Sequence, residues 1–118
     1  MTSSKPPVGP YTPLVCAGPW IVCSGQLGLG SDGFVEGGVG PQTTQAILNL
    51  AGLLQTQGAT LFDVIKTTVF LADISDYSQM NAAYVEAFAG HAPARSAVGV
   101  SGLPLGALVE IEAWAYRD

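Results

Sequence analysis

Two features of this 118-residue chain could carry chemistry: a guanidinium at the entrance to an apolar segment, and two carboxylates spaced two residues apart. Arg95 stands between a helical pattern ending near Gly90 and the apolar run Ala97 to Val100, with Ala94 and Ser96 as neighbours. A guanidinium entering an apolar element must be paired or must serve a ligand. That leaves two readings, a buried ion pair or a fork that takes a carboxylate through two parallel N–H···O bonds. Glu110 and Glu112 lie in the run Leu108 to Tyr116. Period-two alternation puts Val109, Ile111, Ala113 and Ala115 on one face of a strand, and the glutamates with Trp114 and Tyr116 on the other. A solvated face is one reading. The two aromatics point to another, because a glutamate beside apolar groups keeps its proton to higher pH and can exchange it near neutrality.

Other chemistries are poorly supplied. His91 is the single histidine and has no Cys or His nearby in sequence, so it reads as a loop residue of no special role. Nothing points to a carboxylate-only magnesium site. No GxSxG elbow occurs, and neither Cys16 nor Cys23 has a neighbouring base. The cysteines could pair across a hairpin, but two buried free thiols in a cytoplasmic protein are expected. Residues 25–40 hold seven glycines yet lack both the Gly-Lys-Ser/Thr ending and the GxGxxG of phosphate loops. They read as a flexible connection with a turn at Ser31-Asp32-Gly33.

The elements that must position these groups follow from pattern. Met1 to Val8 reads as a flexible lead-in, Ser/Pro-rich and without the apolar centre of a signal peptide. Leu14 to Ala17 and Trp20 to Ser24 read as strands joined at Gly18-Pro19. Pro41 to Gly58 carries a helical stripe of Ile47, Leu50 and Leu54. Val64 to Leu71 reads as a strand. Asp76 to Ala89 reads as a second helix with Met80, Tyr84, Val85 and Phe88 on one face. Ser96 to Val100 and Leu108 to Tyr116 follow as strands around a turn holding Gly102, Pro104 and Gly106. A short turn could pair those last two, which would bring Arg95 near Glu110. The order predicts one α+β domain over residues 1–118, with two helices on one face of a mixed sheet.

Charge narrows the partners. Lys plus Arg is 4, Asp plus Glu is 9, and the net charge is −5. The four cations are scattered, which argues against nucleic acid and against an anionic membrane surface. Charged residues are 11% of the chain, against about 25% in average soluble domains. No run approaches the length of a membrane span. The second sheet face is therefore expected to be covered by further copies of the chain.

Several segments together resemble the Rid family, the reactive intermediate deaminases also called YjgF or L-PSP. They are Pro93-Ala94-Arg95-Ser96, Leu103-Pro104 and Val109 to Ala113, with Gly9-Pro10-Tyr11, Ser24-Gly25-Gln26, Val64 to Leu71 and Asn81 to Tyr84 upstream. The resemblance runs from Gly9 through nearly the whole chain. It implies a chorismate-mutase-like α+β fold and a homotrimer with active sites in clefts between subunits. It also implies hydrolysis of enamines and imines such as 2-iminopropanoate to 2-keto acids and ammonia, without cofactor or metal. Carried over by position, Arg95 binds the substrate carboxylate and Glu110 positions or activates water. Tyr11, Ser24 and Asn81 line the cleft, and the backbone around Gly25 and Ala97 binds the ligand. A noncatalytic carboxylate-binding regulator is the alternative, and an endoribonuclease or translation inhibitor the second. There are departures. Ala97 stands where the family often has Cys, the loop Gly90 to Pro93 looks shorter, and Thr12-Pro13 replaces the usual Ser-Gln.

Overall fold

The computed structural model describes residues 9–118, so the expected lead-in Met1 to Val8 lies outside the described residues. Strands β1 (Leu14–Ala17) and β2 (Trp20–Leu27) form a hairpin closed by Gly18-Pro19, where Ala17 faces Trp20. Gly18 has φ +59, the left-handed first position that a tight two-residue turn demands. A small hairpin of β3 (Leu29–Gly30) and β4 (Gly33–Phe34) precedes helix α1 (Val39–Gln55). Strand β5 (Val64–Leu71), helix α2 (Tyr77–Ala87), and strands β6 (Ala94–Gly99) and β7 (Val109–Tyr116) complete the chain.

The main sheet has the order β1-β2-β7-β5-β6. β5 and β6 are parallel, a pairing that needs a crossover, and α2 supplies it. β2 and β5 each flank β7 in antiparallel register. Both helices cover one face. The apolar alternation of β7 meets α1 there, with Ile47, Leu50, Leu54, Val69, Leu71 and Ile111 sealed from solvent. The expected α+β layout of a mixed sheet with two helices on one face is the observed one.

The differences have local causes. The segment 25–40 is not a flexible connection: it holds the end of β2, the β3–β4 hairpin and the start of α1. The Ser31-Asp32 turn sits at the hairpin tip, where Gly30 faces Gly33. α1 starts two residues before Pro41, which stays within the first turn, where its missing N–H costs nothing. The helix stops at Gln55, and Gly58, at φ +73, reverses the chain while Ala59 N–H bonds to Leu54 O at 3.0 Å. α2 starts at Tyr77 because Asp73 accepts from Ser75 N–H at 2.9 Å and first winds a tighter turn over Ile74–Asp76. Val85, expected on the core face of α2, is 67% exposed; Met80, Tyr84 and Phe88 fill that face. β6 and β7 do not pair. Their connection crosses the end of β5, tied by Val100 N–H to Leu71 O at 2.8 Å and Ala72 N–H to Leu108 O at 3.1 Å.

Among the described residues no helix lies over the second sheet face. Trp20 packs edge-on against Trp114 (5.9 Å between ring centres) and Tyr116 (5.2 Å). Val15, Val98, Trp114 and Tyr116 remain exposed. Among the described residues no helix is long and apolar enough to cross a membrane.

Candidate active site

Arg95 lies on the edge strand β6, opposite Thr67 of β5. Directly paired residues share a face, so its side chain turns toward the helices. Its guanidinium carbon stands 4.9 Å from the centre of the Tyr84 ring and 5.5 Å from that of Tyr77. Nη2 donates to Tyr77 Oη at 3.0 Å and Nη1 lies 3.9 Å from Met80 Sδ. The two rings supply π-faces that hold a cation without neutralising it. The Tyr84 ring is fixed in turn by a 2.6 Å hydrogen bond between its hydroxyl and buried Thr67 Oγ1. Burial is the main cause that raises the Tyr84 phenol above its ordinary value. The ion-pair reading of Arg95 finds no partner. The one ion pair among the described residues joins Arg117 to Asp63 at 3.4 Å.

Beside Arg95 opens a pocket of about 460 Å³ lined by Asn81, Tyr84, Val85, Gly90, His91, Ala92, Pro93 and the arginine itself. Asn81 is thus brought to the same pocket as Arg95. Its Oδ1 is buried with no hydrogen-bond partner, a cost of roughly 1–3 kcal/mol by the usual scale. His91 is more than a loop residue. Its Nε2–H donates to Val64 O at 2.6 Å, and its ring sits between Phe62 (5.7 Å) and Phe88 (6.2 Å). Ala97, two residues past Arg95, faces the same side and packs against the core opposite Val69. As an edge strand, β6 leaves part of its backbone unpaired within the chain.

Glu110 belongs to a second cluster. It pairs with Phe70 of β5, three residues along from the partner of Arg95. An odd step along a strand reverses the face, so the carboxyl points to the side of the sheet away from the helices. Glu112, Trp114 and Tyr116 share that side, as the alternation requires. Glu110 is half-buried; burial first, and the Glu112 carboxylate second, hold its carboxyl above the ordinary value of 4.5. A bulge in β2 at Ser24-Gly25, between the registered residues Cys23 and Gln26, brings the backbone against it. A Cβ on Gly25 would stand 2.5 Å from Glu110 Oε2, so only glycine allows this approach. Ser24 is tied to the segment after Tyr11: Ser24 Oγ donates to Thr12 O at 2.7 Å and Ser24 N–H to Pro13 O at 2.8 Å. Tyr11 itself is exposed.

The predicted residues therefore fall into two groups within one chain. Arg95, Asn81 and Ala97 lie on the helix side at the β6 edge. Glu110, Gly25, Ser24 and the Tyr11 segment lie at the β2–β7 face. Sequence reasoning missed Tyr77, Tyr84 and His91 as supports of the first group. The spacing Tyr77, Met80, Asn81, Tyr84 along one helix side is the available signal, and of these only Met80 and Tyr84 enter the core pattern. The two thiols are free, Cys16 exposed and Cys23 buried, and burial pushes Cys23 up to about 11. Among the described residues no three of His, Cys, Asp and Glu gather into a metal-ligating set.

Comparison with known proteins follows this geometry. The family described as Endoribonuclease L-PSP matches residues 2–117. A human 2-iminobutanoate/2-iminopropanoate deaminase is 40% identical over 121 residues, spanning 99% of this chain and 88% of its own. The crystal structure of the Escherichia coli YjgF gene product superposes with a TM-score of 0.88 at 37% identity, covering 95% of this chain and 91% of that one. Escherichia coli TdcF with bound serine superposes with a TM-score of 0.88 at 33% identity, with coverage of 95% and 91%.

Proposed function

We propose that this chain, which belongs to the endoribonuclease L-PSP (YjgF/Rid) family, is an enzyme that hydrolyses 2-imino acids to 2-keto acids and ammonia. The relative at 40% identity carries that activity in its name, and TdcF holds serine, a small carboxylate. The observation that carries the reading is Arg95. It is a half-buried guanidinium, oriented by two tyrosines, without a carboxylate partner among the described residues, and at the wall of a pocket. Such a cation awaits an anion.

The mechanism uses the chain's own groups. Arg95 pairs with the substrate carboxylate and fixes the imine carbon relative to the strand edge. Glu110 holds a water against that carbon and takes its proton as the C–O bond forms. That proton goes to the imine nitrogen, which gives the carbinolamine; Glu110 then takes the hydroxyl proton and returns it to the amino nitrogen as the C–N bond breaks, the carbonyl closes and ammonia leaves. The balance is imine plus water to ketone plus ammonia, with no cofactor or metal in any step. Asn81, Tyr11, Ser24 and the backbone at Gly25 and Ala97 complete the cleft.

Arg95 and Glu110 face opposite sides of one sheet, so the working site joins the β6 edge of one copy to the β2–β7 face of another. A homotrimer with three such clefts satisfies this and covers the exposed Trp114, Tyr116 and Val15. Two free thiols suit a reducing compartment, and the cytoplasm is the proposed location. The noncatalytic alternative predicts keto-acid binding without imine turnover. An RNA-cleaving role is disfavoured. Arg117 is engaged with Asp63, Lys66 with Ser96 Oγ at 2.8 Å, and Arg95 lies in its pocket, which leaves no phosphate track among the described residues.

The test is subunit mixing. Arg95→Ala and Glu110→Gln chains are each expected to be inactive on 2-iminopropanoate. Exchanged one to one, they should regain about a quarter of the wild-type rate, since random mixing restores about one site in four. Absence of recovery between folded, exchanging variants would overturn the shared site. A wild-type assembly that does not accelerate the hydrolysis at all would overturn the deaminase.

A further inference from the structure

We propose that the pocket beside Arg95 selects 2-imino acids with a branched aliphatic or aromatic side chain over those ending in a single methyl. The inference rests on the deaminase reading and goes beyond the small imines for which the human relative is named.

The walls argue for it. With the carboxylate on Arg95, a substrate side chain laid into the pocket meets Tyr84, Val85, Ala92 and Pro93. A methyl fills little of the about 460 Å³ there. Val85 is the informative residue. It is 67% exposed, on a helix whose core face is already filled by Met80, Tyr84 and Phe88. The core packing of this chain leaves Val85 uncovered, and a ligand side chain in the pocket would lie against it.

The opposite wall is built in advance. Ala89 and Gly90 take left-handed φ values of +51 and +93 and turn the chain sharply out of α2. His91 then anchors it twice, through its backbone N–H to Phe88 O at 3.0 Å and its ring to Val64 O at 2.6 Å. Ala92 and Pro93, which line the same pocket as Val85, are thereby held in place, and little ordering remains when a ligand enters.

Each methylene buried against such a wall is worth about fourfold in binding. The leucine-derived imine, 2-imino-4-methylpentanoate, should therefore exceed 2-iminopropanoate about tenfold or more in kcat/KM. Both imines are generated in situ by an amino-acid oxidase and followed by ammonia release. Val85→Phe, an exposed change that narrows the pocket, should bring the ratio of the two close to one. In parallel, calorimetry compares binding of 4-methyl-2-oxopentanoate with that of pyruvate. Turnover of both imines at a ratio of one or below overturns the pocket assignment and leaves the deaminase standing. Tighter binding of the larger keto acid without turnover of either imine keeps the pocket assignment and overturns the deaminase. Equal or absent binding with no turnover overturns both.

Discussion

Arg95 and Glu110 each lie on a strand paired with β5, opposite Thr67 and Phe70, yet they are prepared in opposite ways. The arginine is held by its own layer. Two rings from α2 lie within 5.5 Å of it, a phenol accepts its hydrogen bond, and a buried threonine fixes one of those rings. The glutamate receives no such support. It faces a sheet side that no helix covers, pressed by a glycine bulge and a second carboxylate, with its proton affinity raised. One region is finished inside a single chain. The other is left open within the chain. In the proposed shared site this division would tie activity to assembly.

Removing the group on the unfinished side should have the largest effect. Glu110→Gln is expected to lower kcat by about 10²–10⁴-fold with little change in KM, as loss of a proton acceptor does. Steady-state kinetics on one imine would read that split, and a KM effect alone would reassign Glu110 to binding. On the finished side, Arg95→Lys keeps the charge but loses the fork and the ring stacking. We expect about 10–100-fold in kcat/KM, carried mainly by KM. Gly25→Ala should act on the Glu110 side directly, because its Cβ has no room beside Oε2. The carboxyl must move, so kcat should fall by about tenfold, with a smaller loss of keto-acid binding measured by calorimetry. Tyr77→Phe removes one neutral acceptor from Arg95 and should cost the least, about threefold to tenfold in kcat/KM.

pH offers a sharper contrast between the regions. Glu110 binds its proton more tightly folded than unfolded, so its contribution to stability is complete below pH 4.5 and is lost as pH rises through its folded value. Urea midpoints of the wild type should decline across that window relative to Glu110→Gln. Parallel curves would show that the carboxyl is not perturbed. Activity has the opposite sense, since water activation needs the ionised carboxylate and should rise with pH through the same range.

Much of the frame is legible in the sequence because its signals are local. The stripe Ile47, Leu50, Leu54 gives α1, the β-branched run gives β5 at its observed bounds, and the alternation of Val109 to Tyr116 assigns each residue of β7 its face. Val85 resists the same logic. Its place beside Tyr84 reads as core until the packing of Phe88 and Met80 leaves no room for it. The glycines from Gly25 to Gly40 mislead for a related reason. Composition cannot separate a glycine that gives flexibility from one that lets Glu110 approach the backbone.

From its sequence alone, this protein has a guanidinium at the mouth of an apolar strand that must be paired or serve a ligand, two glutamates on one strand face, too little charge to cover its own surface, and the segments of its family. Only the tertiary structure decides that the Arg95 cation and the Glu110 carboxylate look away from each other. Facing within a strand follows from a two-residue period that any reader of the chain can count. Facing between strands depends on which strand lies between them and in what register. Here β5 enters between β6 and β7, from far back in the chain, and its pairing with both sets Arg95 toward the helices and Glu110 toward the open side.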